Sequence, residues 1–207
     1  MKRQFLVIGA LFLVCTMAMC VGQAQIPDKF VQSYQSIETT QKEIETIYLA
    51  YEDQVQKRIE YVEKNRPTES VDYAYVLSLL ESELLLIDEM TQKNATYSNQ
   101  INELFNESKN IKSTDAKSKA SELIIILRNS QQYLSQGTLS LKDGTQYTGD
   151  AIYYYATGAD ITDPLILNEI QSLNLDAKTL FDTAVLQLNS YYNTAIEANA
   201  LYQEIIK

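Results

Sequence analysis

The amino-acid sequence predicts an all-α protein: an elongated antiparallel four-helix bundle, up-down-up-down, preceded by an amino-terminal signal segment. Three observations lead there. A single apolar stripe runs without a breaker through the last forty residues, and three earlier segments of similar length carry stripes of their own. The 207 residues include only six glycines and three prolines, too few for a turn-rich β protein.

The last segment sets the scale. Thr162, Asp163 and Pro164 open it with side-chain oxygens for orphan amides and a proline whose missing donor costs nothing in a first turn. Apolar residues then fall at Ile166, Ile170, Leu173, Ala177, Leu180, Ala184, Leu188, Tyr191, Ala195, Ala198, Tyr202 and Ile205, a mean period of about 3.5 residues. Leu167, Phe181, Val185, Tyr192, Ile196 and Leu201 read as widening that stripe. A rod of this length, roughly 64 Å at about 1.5 Å per residue, must bury its stripe along its whole length against equally long partners.

Those partners precede it. The first begins at Pro27–Asp28, with Phe30, Tyr34, Ile37, Ile44, Tyr48, Tyr51, Val55 and Val62 on one seam and Gln41 and Arg58 as its polar members. It should stop before Pro67, which disfavours helix in the residue preceding it. Thr68 or Ser70 reads as the cap of the second, which is apolar from Val76 to Met90, almost wholly polar from 91 to 100, and apolar again at Ile101, Leu104 and Phe105. Asn110–Thr114 reads as the next turn, with Ser113, Thr114 and Asp115 as competent caps.

The third segment is the ambiguous one. Residues 139–147 alternate around Asp143-Gly144, a hairpin signal. Against it stands a lane of small residues at seven-residue spacing, Ser130, Gly137, Gly144, Ala151 and Gly158, which a continuous helix would show at a tight interface. Equal rod lengths favour a continuous helix from Thr114 to Thr157, weakest between Gly137 and Gly149. Reflection about the turns then sets Gly137 level with Ile87, Tyr48 and Val185.

Two parts are expected: residues 1–24 as a signal peptide and 25–207 as one bundle domain. Lys2 and Arg3 precede an apolar run from Phe5 to Val21, and Gly22-Gln23-Ala24 suits cleavage. Lipid attachment at Cys20, behind a poorly fitting Met17-Ala18-Met19, and retention as an anchor stand as alternatives to cleavage after Ala24. Both cysteines, Cys15 and Cys20, lie inside this segment, so the remaining chain has no disulfide. The full chain carries a net −10; without Lys2 and Arg3 it holds 15 basic residues against 27 acidic, a net −12. Such a surface does not suit nucleic acid, whose phosphates need neutralising.

With no histidine and no cysteine beyond residue 24, neither a serine or cysteine triad nor the usual zinc, haem or di-iron sites can form. No cofactor, no metal and no catalytic residue is expected, and the chain does not read as an enzyme. Glu83, at the edge of an apolar run, is the one carboxylate placed for a raised pKa or a bound cation, although leaning out to water is the plainer expectation. Tyrosine is the unusual enrichment, fifteen residues without a tryptophan. Tyr48, Tyr51, Tyr153, Tyr154, Tyr155, Tyr191 and Tyr192 are the candidates for contact with a ligand or partner. Consecutive tyrosines on a helix point different ways, so one of Tyr153–Tyr155 should pack and the others sit part-exposed. Asn94-Ala-Thr96 and Asn106-Glu-Ser108 are N-glycosylation patterns. The function expected is that of an exported, non-catalytic interaction or structural module in the cell envelope or outside the cell. Its partner would be another protein or a second copy, with membrane contact only through the amino-terminal segment. The alternative is an extracytoplasmic bundle binding a small molecule or peptide in a pocket near the glycine lane.

Overall fold

Side-chain caps set where three of the four helices begin. In the computed structural model, which describes residues 26–66 and 71–207, α1 spans Asp28–Asn65, α2 Tyr73–Ser108, α3 Thr114–Ala156 and α4 Pro164–Ile205. Ser113 accepts a hydrogen bond from Ala116 N–H at the start of α3, and Asp163 from Leu165 N–H at the start of α4, with Pro164 in the first turn. The cap of α2 is Asp72, accepting from Tyr75 N–H at 3.1 Å. This corrects the expectation of Thr68 or Ser70, which lie outside the described residues, as do the signal segment 1–24 and Cys20. Among the described residues there is no strand, and no helix long and apolar enough to cross a membrane.

The third segment resolves to one unbroken helix through Asp143-Gly144. The hairpin signal loses because Gly137 and Gly144 are buried helix positions facing α4, where the close approach they allow outweighs their poor helix propensity. Gly158 is not part of that lane. It ends α3 with φ of 70°, its N–H on Tyr155 O and that of Ala159 on Tyr154 O, a left-handed stop that favours glycine. The polar stretch 91–100 is also continuous helix, and it buries Asn94 and Tyr97.

Consecutive helices run antiparallel. Arg58 and Glu43 of α1 meet Glu83 and Lys93 of α2, Lys142 of α3 meets Asp88 of α2, and Lys119 of α3 meets Glu204 of α4. The four sides of the bundle are not equivalent. Small residues line the α3–α4 side, Ser130, Gly137, Gly144 on one helix and Ala177, Ala184 on the other, and the backbones come close enough for Ser130 Oγ to donate to Tyr191 O. Between α1 and α4 no Cα pair lies within 8 Å. Tyrosines bridge that wider gap: Tyr34 stacks on Tyr202 with centroids 3.7 Å apart, Phe30 packs against the same ring, and Tyr48 meets Tyr192 edge-on.

The hydroxyl of Tyr34 has no hydrogen-bond partner among the described residues, although the ring is fully buried. An unpaired buried donor opposes folding. Tyr34→Phe keeps the stack and removes that group, so it should stabilise the protein by about 1 kcal/mol. Urea unfolding of the variant showing an unchanged or lower midpoint would contradict this account.

One expectation about α4 is corrected at three positions. Leu167, Val185 and Ile196 do not widen the buried stripe; they are 39%, 51% and 63% exposed. A strictly 3.5-residue stripe suffices on the side facing small residues of α3, and the flanks are left outside.

Candidate functional site

The polar members of the α1 seam find buried partners on α2. Arg58 holds Glu83 with two hydrogen bonds, Nε to Oε1 at 2.6 Å and Nη2 to Oε2 at 3.2 Å. The Glu83 side chain is wholly buried and that of Arg58 is 12% exposed. Glu83 therefore does not lean out to water. Burial raises its pKa, and the Arg58 hydrogen bond and charge oppose that rise. Both carboxylate oxygens are committed to the guanidinium, which leaves the ordinary fork geometry of a structural pair rather than an open cation ligand. Among the described residues no three acidic side chains converge on a common point. Gln41, the other polar seam residue, donates from Nε2 to the Tyr97 hydroxyl at 3.1 Å. Burial pushes that phenol up to about 12, with hydrogen bonding to Ser130 and Gln41 pulling the other way.

The seven candidate tyrosines fall into two places. Tyr48, Tyr51, Tyr191 and Tyr192 come together in the middle of the bundle: Tyr48–Tyr51 at 6.2 Å between centroids, Tyr48–Tyr192 at 6.4 Å, Tyr191–Tyr192 at 5.1 Å. Tyr97 joins them edge-on to Tyr191. Burial raises the pKa of each of these phenols, and nearby Glu45, Glu52 and Glu83 raise them further. Their rings act as core: they fill space between α1 and α4.

Tyr153, Tyr154 and Tyr155 lie at one end of the rods, where α1 and α3 finish and α2 and α4 begin. Tyr155 stacks on Tyr73 at 5.3 Å, Tyr154 is half-buried, and Tyr153 is 60% exposed. The same end holds Tyr61 packed edge-on against Tyr75, with Ile161 and Leu165 also exposed at the turn into α4. Tyr61, Tyr73 and Tyr75 were missed by the sequence reading. Their signal was available in the antiparallel order, which brings residues flanking the first and third turns to one end.

The glycine lane is filled. A Cβ at Gly137 would sit 2.9 Å from Leu188 Cδ2 and Cγ, and one at Gly144 would sit 3.1 Å from the Phe181 ring. The neighbours of Gly137 are thus Leu188 and Gln187, not Val185, which points outward. The best-formed depressions among the described residues are open, polar grooves elsewhere. One lies between Lys29–Ser36 of α1 and Glu103–Glu107 of α2; the other is lined by Ser98, Asn102, Arg128 and Gln132.

Of the two glycosylation patterns, Asn106 is exposed, its side-chain oxygen accepting from Lys109 Nζ. Asn94 is 5% exposed inside α2, which leaves no room for a glycan in the folded chain.

The described residues thus define an all-α helical-bundle protein. Comparison with protein-family models, with curated proteins and with solved structures finds no match.

Proposed function

We propose that this chain is an exported, non-catalytic interaction or structural module of the cell envelope or extracellular space. The observation that carries the reading is the tyrosine-rich end of the bundle. There Tyr75 and Tyr153 are 46% and 60% exposed, and Ile161 and Leu165 at the turn into α4 are exposed at the same end, in a chain of net −10. Exposed aromatic and aliphatic side chains grouped at one place favour contact with another macromolecule. The packed glycine lane favours this reading over the alternative, a small-molecule or peptide binder with a pocket beside Gly137 or Gly144. The amino-terminal segment, basic then apolar then small, supports export, and α1 starts at the opposite end from Tyr153. An anchor or lipid there would present the tyrosines away from the membrane.

A photo-crosslinking residue in place of Tyr153, in the native cells, should give a discrete adduct that the same residue at exposed Gln92 does not. Adducts equally strong at both positions, or at neither, would argue against a docking end. Export is tested on the same material: mass spectrometry should place the mature amino terminus at Gln25, and an intact Met1 in the membrane fraction or a lipid on Cys20 would replace release with anchoring.

A further inference from the structure

We propose that a second copy of this chain docks on the outer face of α4, as an antiparallel two-fold pair centred between Val185 and Leu186. α4 has its buried face toward the bundle, yet Leu175, Val185, Leu186 and Ile196 remain 64%, 51%, 67% and 63% exposed. Leu175 and Leu186 are eleven residues apart, close to three helical turns, and so are Val185 and Ile196; the two pairs form adjacent lines about 80° apart, away from the side of Ala177, Ala184 and Ala195.

The occupant follows from two properties of this face. Its pattern is self-complementary. In an antiparallel pair with that centre, Leu175 of one copy falls level with Ile196 of the other, and Val185 with Leu186. Lys178 falls level with Asn193 and Asp182 with Asn189, so the charges, already paired with each other within the helix, meet amides rather than like charges. A two-fold interface requires this pairing of position with position, because the same patch serves both partners. The second property is charge. Residues 183–196 contain no Asp, Glu, Lys or Arg, in a chain of net −10. Two such acidic molecules repel over most of their surfaces, and a helix face whose only charges, Lys178 and Asp182, neutralise each other is where a second copy approaches at least cost.

Four apolar side chains per copy, separated by polar turns, make a contact smaller than the roughly 800 Å² per partner of a standard interface. The pair should accordingly be reversible and form in the micromolar range. Salt should strengthen it, because what opposes it is long-range repulsion that ions screen.

The proposal rests on the reading of the chain as an interaction module and deepens it. Sedimentation equilibrium of the full chain tests it. The wild type should show monomer and dimer, tightening as salt is raised, and Leu186→Glu, which places two carboxylates at the two-fold axis, should weaken the dimer about 100-fold or more. Leu85→Glu, at an exposed leucine of α2, should leave it unchanged. A monomer throughout, a dimer that salt dissolves, or association that survives Leu186→Glu and so uses another surface, each overturns the proposal. Register is read by a short bis-maleimide in a Cys15→Ser, Cys20→Ser background. Leu175→Cys with Ile196→Cys should cross-link copies, since within one chain these positions stand about 32 Å apart; Leu175→Cys alone should not. Equal cross-linking by the single variant rules out the antiparallel register. The two readings fail separately: a monomer that still gives the Tyr153 adduct removes only the pair, and a dimer without that adduct removes only the docking end.

Discussion

Arg58→Met should destabilise the protein by about 3 to 5 kcal/mol, because it strands the Glu83 carboxylate in the core without its partner. The double variant Arg58→Met with Glu83→Met should recover most or all of that loss, since the desolvation that the ion pair must overcome disappears with both charges. Urea unfolding of the wild type, the single and the double variant decides the matter. A single variant within about 1 kcal/mol of wild type would mean that the buried pair is not formed. The pH dependence supplies an independent check. Burial raises the folded-state pKa of Glu83 above its ordinary 4.5, so the folded protein binds the extra proton first. By linkage the stability of Arg58→Met rises as pH falls from neutrality through that raised value, and the gain is complete near the ordinary 4.5. In the wild type the guanidinium opposes the shift and the same limb should be flatter.

The second large effect lies in the glycine lane. Gly137→Ala must fit a methyl group where Leu188 Cγ and Cδ2 stand 2.9 Å away, so either the leucine leaves its rotamer or α3 and α4 move apart. Overpacking of this kind costs about 1 to 3 kcal/mol, against up to about 1 kcal/mol gained in helix propensity. Gly144→Ala meets the edge of the Phe181 ring at 3.1 Å, a half-buried neighbour with more room to yield, and should cost less. A double-mutant cycle identifies the cause. Leu188→Ala alone should cost about 2 to 5 kcal/mol, but in that background Gly137→Ala should turn stabilising, because the methyl group enters the space that the leucine left. Thermal melts in which Gly137→Ala raises Tm in the wild-type background would sink the close-packed lane.

Much of the architecture was legible in the residues. Breakers and caps at Pro27, Pro67, Ser113 and Asp163-Pro164 divide the chain into rods of matching length, and such rods with short connections have few ways to bury their stripes other than side by side. The continuity of α3 was also readable, because a seven-residue lane persisting through Gly137 and Gly144 makes sense only on a helix against another helix. The site was less legible. Glu83 and Arg58 could each be placed on a seam, yet whether a carboxylate at the edge of a stripe turns inward depends on what stands opposite, 25 residues away in sequence. The tyrosines divided for the same reason. Tyr48, Tyr51, Tyr191 and Tyr192 were marked for their chemistry, and the wide α1–α4 gap absorbed them as core.

By themselves, then, the amino acids determined the helices, their number and the starts of α1, α3 and α4, because caps, breakers and periodicity act over a few residues. Only the tertiary structure decided which side of the bundle is narrow and which wide, that Glu83 is locked by Arg58, that Asn94 is sealed inside α2, and that Val185, Leu186 and Ile196 face outward. Each of these turns on the distance between two helices, and that distance is set by the side chains of both at once.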